Sequence, residues 1–337
     1  MPDAYGASQC ACVILCAMRR LIALLLTAVA LGGCSVVSVD FTPRIRPLEE
    51  ETVEGHGAAK ILLTDISGFI SDEPPSSGLG LGPSTPRVPL LVRLREELKK
   101  AAEDKDVRAL VVRLNTPGGT VTASDIIYRE LMLFRERTKV PVIAMMMDVA
   151  ASGGYYIALA ADTIVAHPTT VTGSIGTILV TANVEGLMQK VGVAATTIKS
   201  AEHKDMGSPF RAMTPDERKI FQSVIDELQR QFVAKVVERR RLPGDDARLL
   251  ADGRIYTAPQ ALGHRLVDSI GYVPDAIDAA KRAAGVTEAK VIVYKRPREY
   301  RATYYAQART EAGALDAVAQ FAASAGVGPK FLYLWAP

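Results

Sequence analysis

The stretch VPVIAMMMDVAASGGYY, residues 140–156, decides the fold. Its first half is a continuous apolar run of strand length, as expected for a parallel strand buried on both faces. Its second half passes through small residues to Ser152 and then into a helical pattern. The same alternation recurs along the chain, with further strands predicted at 60–66, 107–114, 163–166, 193–198 and 291–294. The sequence therefore predicts an α/β fold of parallel βαβ units.

Helices are predicted between these strands. Apolar residues recur at helical spacing near 90–98, 122–137 and 184–191. The best-defined helix begins at Thr214, because Thr214 and Glu217 have the spacing of a capping box and Pro215 stands at the first helical position. An apolar stripe follows on this helix and predicts a core or subunit contact.

The N-terminus has the layout of an export signal. Arg19 and Arg20 precede a short apolar run at 21–31, and Gly32, Gly33 and Cys34 follow it. The run is shorter than the ~20 residues that a membrane-spanning helix needs. The stretch resembles a bacterial lipoprotein signal, with Cys34 as the lipidated first residue of the mature chain; a plain membrane anchor is the alternative, and Met18 is an alternative start.

Four parts are predicted: a signal peptide at 1–33, a tether at 34–57, one catalytic domain at 58–285 and a C-terminal extension at 286–337. The expected location is the extracytoplasmic (periplasmic) side of a membrane, with Cys34 as the lipid anchor. The extension ends in the apolar run FLYLW, residues 331–335, which looks exposed and has no predicted place in the fold.

Composition excludes several classes of function. The 4 cysteines all lie within the first 34 residues, so the mature chain has neither a disulfide nor a cysteine-type metal site. The net charge of +3 comes from basic residues that share helical faces with acids, which indicates a solvated surface and no nucleic-acid partner. No cofactor and no metal is predicted.

Two stretches of sequence suggest catalysis. Ser152 follows a buried strand and opens a helix, where a developing negative charge is favoured, although serine is also an ordinary helix N-cap. Upstream, NTPGG at 115–119 ends another strand, and its consecutive glycines can turn backbone N–H groups towards a reacting carbonyl. A simple tight turn is the alternative for that loop.

The residue that would activate Ser152 is not evident from spacing. None of the 4 histidines falls in a convincing triad order, and lysine is the other base that serine hydrolases use. A lysine acts as a base only when neutral, which burial favours. Spacing alone does not select one lysine among the many in the chain.

Four motifs occur in the order found in one family. They are NTPGG at 115–119, DVAASGGYY at 148–156, TGSIG at 172–176 and HKDMGSP at 203–209. Over about residues 58–285 the chain resembles the signal peptide peptidase A (protease IV) family. The resemblance implies a Clp/crotonase-type α/β fold and a Ser/Lys dyad, with Ser152 as nucleophile and Lys204 as general base. It also implies that Ser174 hydrogen-bonds the lysine and that Gly119 supplies an oxyanion-hole amide, with the Gly153 amide as its companion.

The chain shows no internal repeat, so it resembles the short family members, which form rings with each site completed across a subunit interface. The resemblance implies a membrane-tethered serine endopeptidase acting on cleaved signal peptides or similar apolar segments, with Lys204 serving the Ser152 of a neighbour. Two other interpretations stay open at this stage. One is an acyl-CoA enzyme of the crotonase type, and the other is an inactive ring-forming scaffold that binds membrane proteins.

Overall fold

The structure is a computed structural model of the chain. It describes residues 46–72, 88–297, 299, 301–306 and 330–335, and the statements below concern these residues. The predicted signal peptide, Cys34 and the first part of the predicted tether lie outside them. Within the described ranges, no helix combines the length and the apolar character needed to cross a membrane.

The described residues form twelve strands in two sheets. In chain order the strands are β1 Glu49–Gly55, β2 Lys60–Ser67, β3 Val107–Thr116, β4 Gly118–Thr120, β5 Val142–Ala151, β6 Thr163–Ala166, β7 Val171–Gly173, β8 Ile178–Val180, β9 Ile255–Thr257, β10 Ser269–Ile270, β11 Lys290–Lys295 and β12 Lys330–Leu334. The main sheet has the order β1-β11-β2-β3-β5-β6-β10, with β7 pairing β5 and β9. Every pair from β11 to β10 along this path is parallel. The predicted fold of parallel βαβ units is therefore confirmed.

Helices cover both faces of the main sheet. They are α1 Leu90–Glu103, α2 Val121–Thr138, α3 Gly153–Ala158, α4 Glu185–Lys190, α5 Pro215–Arg240, α6 Gly244–Leu249, α7 Ala258–Gly263 and α8 Val273–Ala284. Ala144 and Met146 of β5 pack into the core on the side of α1 to α3, whereas Ile143 and Met145 pack on the side of α8. The strand is thus buried on both faces, as its uninterrupted apolar sequence predicts.

The predicted helix after Thr214 is confirmed with its capping box. The Thr214 side chain accepts a hydrogen bond from the Glu217 N–H (3.2 Å), and the Glu217 carboxylate accepts one from the Thr214 N–H (2.9 Å). Only part of the predicted apolar stripe reaches the core, since Phe221, Phe232 and Val236 are buried whereas Val224 is exposed.

The predicted domain boundaries need correction at both ends. β1, within the predicted tether, pairs with β11, and β11, within the predicted extension, pairs in parallel with β2. The sequence of β1 is largely acidic and has no apolar period because β1 is an edge strand, where charged side chains protect the open edge. The main sheet therefore extends beyond residues 58–285 in both directions.

Two further predictions are wrong. Residues 193–198 form no strand, and their apolar side chains point to solvent, with Ile198 97% exposed. The run at 331–335 is not an exposed tail, because its residues 331–334 belong to β12, the middle strand of a three-stranded sheet in the order β4-β12-β8. Leu332 and Tyr333 in it are buried.

A buried ionic cluster fastens the C-terminal extension to the main sheet. Asp65 at the end of β2 accepts hydrogen bonds from Arg113 Nε (2.6 Å) and from Arg301 (2.5 Å). Arg113 also donates to the backbone carbonyls of Tyr304 and Ala306. All three charged side chains are at most 3% exposed, so their mutual pairing is needed to offset the loss of hydration.

Candidate active site

Ser152 lies directly after β5 in a backbone conformation that side-chain-bearing residues seldom adopt. Its φ is 51° and its ψ is −112°, and its N–H is held by the Gly173 carbonyl at 2.8 Å. The residue is fully buried. Its side chain makes no capping hydrogen bond to α3, and its Oγ has only a long contact of 3.5 Å with the Gly176 carbonyl. The interpretation of Ser152 as an ordinary helix N-cap is therefore wrong, and its hydroxyl is held without a strong hydrogen bond.

The glycine loop at 115–119 lies beside Ser152. The side-chain oxygen of Asn115 accepts a hydrogen bond from the Val149 N–H (3.2 Å), which ties the ends of β3 and β5 together. A Cβ placed on Gly118 would lie 2.9 Å from the Gly153 nitrogen. The two stretches that the sequence singles out are thus in contact, and only a residue without a side chain fits between them.

The backbone N–H and carbonyl of Gly119 both point to one of the two neighbours of its strand. On the other side of the strand, Ile70 donates its N–H to the Gly118 carbonyl (2.9 Å) and accepts one from Thr120 (2.8 Å). Alternate residues of a strand bond to opposite neighbours. The N–H and carbonyl of Gly119 therefore face away from Ile70, towards β12.

β12 pairs with this loop in a defined register. Leu332 lies opposite Thr120, Tyr333 opposite Gly119 and Leu334 opposite Gly118. The other edge of β12 pairs with β8. Sequence reasoning missed this segment, because nothing local in an apolar pentapeptide shows which distant strand it joins.

The Tyr333 side chain fills an aromatic pocket behind the loop. Its ring stacks on Tyr156 at 5.3 Å between centroids and lies 4.7 Å from the ring of Phe232. Its hydroxyl donates to the Leu228 carbonyl at 3.0 Å. Burial raises the pKa of this hydroxyl above its usual range, so Tyr333 is a neutral donor. Tyr156 follows Ser152 by one helical turn, which makes the pocket a neighbour of the candidate nucleophile.

Ser174 also adjoins Ser152. It follows β7, whose Gly173 carbonyl holds the Ser152 N–H, and its own N–H donates to the Arg254 carbonyl at 2.7 Å. The residue has a φ of 48° and is 6% exposed. Two serines with positive φ therefore come close together where β5 and β7 end.

Lys204 lies on a segment with a different character. We call residues 181–213, which include α4 and a short 3-10 turn Glu202–Asp205, the arm. Gly207 is the only buried residue in it, and Leu187, Val191 and Ile198 are each more than 60% exposed. Lys204 is exposed, and among the described residues its side chain has no hydrogen bond or ion pair. In the described part of one chain, Ser152 thus has no lysine bonded to it.

A charged cluster fixes the turn that carries Lys204. Arg211 donates to both carboxylate oxygens of Asp205 at 2.8 Å and also to the buried carboxylate of Glu217 at the start of α5. Lys199 donates to Asp205 at 2.7 Å. The guanidinium of Arg211, followed by Lys199, holds the pKa of Asp205 well below its usual range. Arg211 and the Thr214 N–H lower the pKa of Glu217 to about 2.

The described ranges contain no group of three or more His, Cys, Asp or Glu side chains that could hold a metal ion. The chemistry available at Ser152 is that of a hydroxyl next to backbone amides. Such an arrangement can form and stabilise an acyl intermediate when a base is supplied.

Comparison with known proteins agrees with this chemistry. Residues 135–287 match the profile of peptidase family S49. The chain is 36% identical over 247 residues to a candidate signal peptide peptidase SppA of Enterococcus faecium, covering 73% of this chain and 70% of that protein. It is 43% identical over 192 residues to a candidate protease of Synechocystis, covering 57% of this chain and 69% of the relative.

Two further similarities are more partial. Protease 4 of Salmonella typhi is 35% identical over 188 residues, which cover 56% of this chain and 30% of that protein. A solved structure of a ClpP1 mutant from Listeria monocytogenes matches with a TM-score of 0.40 and 15% identity, covering 64% of this chain and 94% of that one. On the strength of the S49 profile and of relatives matched over more than two thirds of their length, the chain belongs to the signal peptide peptidase A (protease IV) family of serine peptidases.

Proposed function

We propose that the protein is an endopeptidase in which Ser152 is the nucleophile and Lys204 of a neighbouring subunit is the general base. The observation that carries this proposal is the contrast between the two residues in one chain. Ser152 is fully buried beside the glycine loop, whereas Lys204 lies exposed on the arm. A base that acts on a buried hydroxyl has to be buried with it.

A second subunit supplies that burial in this proposal. The arm carries exposed apolar side chains along its length, among them Ile198, and a partner that covered them together would remove this apolar surface from water. If each arm reaches the Ser152 of the next copy, the contact is head-to-tail, and we propose that the rotation between copies closes it into a ring. The charged cluster of Arg211, Asp205 and Glu217 keeps the turn with Lys204 in shape while it crosses the interface.

The proposed reaction uses groups that the chain provides. Neutral Lys204 takes the proton from Ser152 Oγ, which attacks the scissile carbonyl, and the N–H groups of Gly119 and Gly153 hold the resulting oxyanion. The amine leaves with the proton that Lys204 returns, and water then hydrolyses the acyl ester in the same way. Ser174, next to Ser152, hydrogen-bonds the lysine and keeps it aimed at the hydroxyl.

The proposed substrates are apolar peptide segments, such as cleaved signal peptides. A relative that is named for signal peptides supports this class of substrate. We further propose that lipidated Cys34 tethers the enzyme to the extracytoplasmic face of a membrane. The Cys34→Ser variant is expected to leave the membrane fraction or to stay unprocessed; an unchanged membrane fraction would favour a plain anchor.

Mixed assemblies test the shared site. Ser152→Ala and Lys204→Ala are each expected to abolish cleavage of an apolar peptide while the fold and the assembly persist. Subunits of the two variants, co-expressed in equal amounts, are expected to recover about a quarter of wild-type activity, because one contact in four then joins an intact serine to an intact lysine. Inactive mixtures of correct size would contradict a site shared between subunits, and activity in either single variant would contradict the assigned roles.

A further inference from the structure

We infer that Thr116 is the positioning residue of the proposed oxyanion hole. Its side chain holds the glycine loop, the segment after β2 and the first turn of α3 together. The inference rests on the proposed function, since it takes the N–H groups of Gly119 and Gly153 as the donors that hold the oxyanion. It assigns a task to a buried hydroxyl that the proposed reaction does not use.

The Thr116 hydroxyl bridges two separate segments. Thr116 is the last residue of β3, and it is fully buried. Its Oγ1 accepts a hydrogen bond from the Gly118 N–H at 3.0 Å. Its single proton is donated to the Gly68 carbonyl at 2.5 Å, which is much closer than the Gly118 carbonyl at 3.3 Å. One hydroxyl therefore joins the glycine loop to the segment that follows β2.

This bridge fixes the direction of the Gly119 N–H. Gly118 has a φ of 108°, where glycine moves with little steric restraint, so the backbone of the loop does not hold itself in place. Thr116 Oγ1 holds the peptide group before Gly118, and Ile70 holds the one after it by donating its N–H to the Gly118 carbonyl at 2.9 Å. The latter peptide group is planar and trans, so its carbonyl and the Gly119 N–H point in opposite directions. Restraint on both sides of Gly118 thus sets where the Gly119 N–H points.

The methyl group of Thr116 contacts the other proposed donor segment. A Cβ built on Gly154 would lie 2.7 Å from Thr116 Cγ2 and 3.1 Å from the Thr116 carbonyl oxygen. The first turn of α3 is therefore packed directly against Thr116. Gly154 follows Gly153, whose N–H is the second proposed donor. The same side chain thus limits how far the two donors can move relative to each other.

The expected consequence of losing the hydroxyl is a defect in the transition state. The buried Gly118 N–H is then left without its partner, and the glycine loop loses its link to Gly68. An oxyanion develops only as Ser152 attacks, so a misaligned donor weakens the transition state and leaves the binding of substrate unchanged. Such a defect lowers kcat and does not raise KM.

Three variants separate this role from a general loss of stability. Thr116→Val keeps the shape of the side chain without its hydroxyl, and kcat for an apolar peptide is expected to fall about 10- to 100-fold with KM within about twofold of the wild type. Thr116→Ser retains the hydroxyl and is expected to keep kcat within about threefold. Thr170→Val is the matched control, because Thr170 is also buried and donates to the carbonyls of Met146 and Met147. That variant is expected to be destabilised to a similar degree and to keep wild-type kcat.

An apolar peptide aldehyde measures the oxyanion hole directly. Ser152 Oγ bonds to the aldehyde carbon, the π electrons of the carbonyl move to its oxygen, and the hydroxyl proton passes to Lys204 of the neighbouring subunit. Thr116→Val is expected to raise the Kd of this aldehyde by about the factor by which kcat falls. In a Ser152→Ala background, Thr116→Val is expected to leave the Kd of the uncleaved peptide unchanged.

The outcomes distinguish this inference from the proposed function. Equal kcat in Thr116→Val and Thr170→Val, or a Thr116→Ser protein as slow as Thr116→Val, would overturn the positioning role. If Thr116→Val does not fold, Thr116→Ser and Thr116→Ala form the decisive pair, because both lack the methyl group and only serine keeps the hydroxyl; equal kcat in that pair would likewise overturn it. If Ser152→Ala still cleaves peptide while Thr116→Val loses kcat, the proposed nucleophile fails and the role of Thr116 stands.

Discussion

The Gly119→Ala substitution tests the geometry of the proposed oxyanion hole most directly. A Cβ on Gly119 would lie 1.9 Å from the Ile70 carbonyl oxygen and 2.6 Å from the Ile70 nitrogen, and both are backbone atoms of a buried residue. Real Cβ atoms essentially never approach another heavy atom closer than 3.0 Å. The loop or the Ile70 segment therefore has to move by about 1 Å to accept the methyl group.

A displacement of this size lowers the catalytic rate strongly but lowers the stability of the fold only modestly. Misplacing a catalytic group by about 1 Å costs on the order of 100-fold in rate, and losing one oxyanion donor costs about the same. Forcing an extra methyl group into a packed region destabilises by about 1–3 kcal/mol. We therefore expect kcat to fall about 100-fold while KM changes little and the protein remains folded.

The assay is steady-state cleavage of an apolar peptide, with thermal unfolding measured on the same samples. Gly263→Ala is the matched control, because no atom lies within 4 Å of a Cβ built on Gly263. That variant is expected to keep wild-type kcat. A Gly119→Ala protein that is folded and retains full kcat would refute the assignment of the Gly119 amide to the oxyanion.

Three further predictions concern the arm and the buried charges. In mixed assemblies, Arg211→Ala is expected to lower kcat when it shares a chain with the functional Lys204 and to have no effect when it shares a chain with the functional Ser152; equal effects would contradict a positioning role. Asp65→Ala is expected to cost about 3–5 kcal/mol of unfolding free energy in urea titrations, since it leaves two buried arginines without a counter-charge. Because the pKa of Glu217 is lowered to about 2 in the fold, its stabilising contribution is present above its usual pKa near 4.5 and is lost as the pH falls from there towards 2. Thermal unfolding over that range is expected to show a smaller dependence in Arg211→Ala; an identical dependence would mean that Arg211 does not set this pKa.

Local patterns in the sequence were sufficient for the elements that carry their own signal. An uninterrupted apolar run predicts β5, and a capping box followed by an apolar period predicts α5. Both signals arise within one element, so they do not depend on what the element packs against. The contact between the two glycine-containing stretches also follows from the sequence, because parallel strands bring their carboxyl ends to one edge of a sheet.

The rest depends on distant partners. β1 is acidic because it lies at an edge of the main sheet. The sequence of β12 resembles a loose tail, and only its pairing with β4 gives it a place in the fold. Residues 193–198 have a strand-like composition, yet their apolar side chains face outward on the arm. In that segment the apolar pattern reflects a surface that is exposed in one chain. An apolar pattern indicates that side chains will be buried, but it does not indicate which molecule buries them.

The proposed shared site has a consequence for an isolated subunit. Lys204 is exposed on the arm, whereas Ser152 is fully buried beside the glycine loop. In the described part of one chain the Ser152 hydroxyl has only a long contact with the Gly176 carbonyl, so no base is bonded to it. If the arm of a second copy supplies the base, an isolated subunit is expected to be inactive although its nucleophile and glycine loop are in place. Activity would then depend on protein concentration, and dilution below the concentration needed for assembly is expected to abolish it. A rate per subunit that stays constant on dilution to monomers would contradict a base supplied by a second copy.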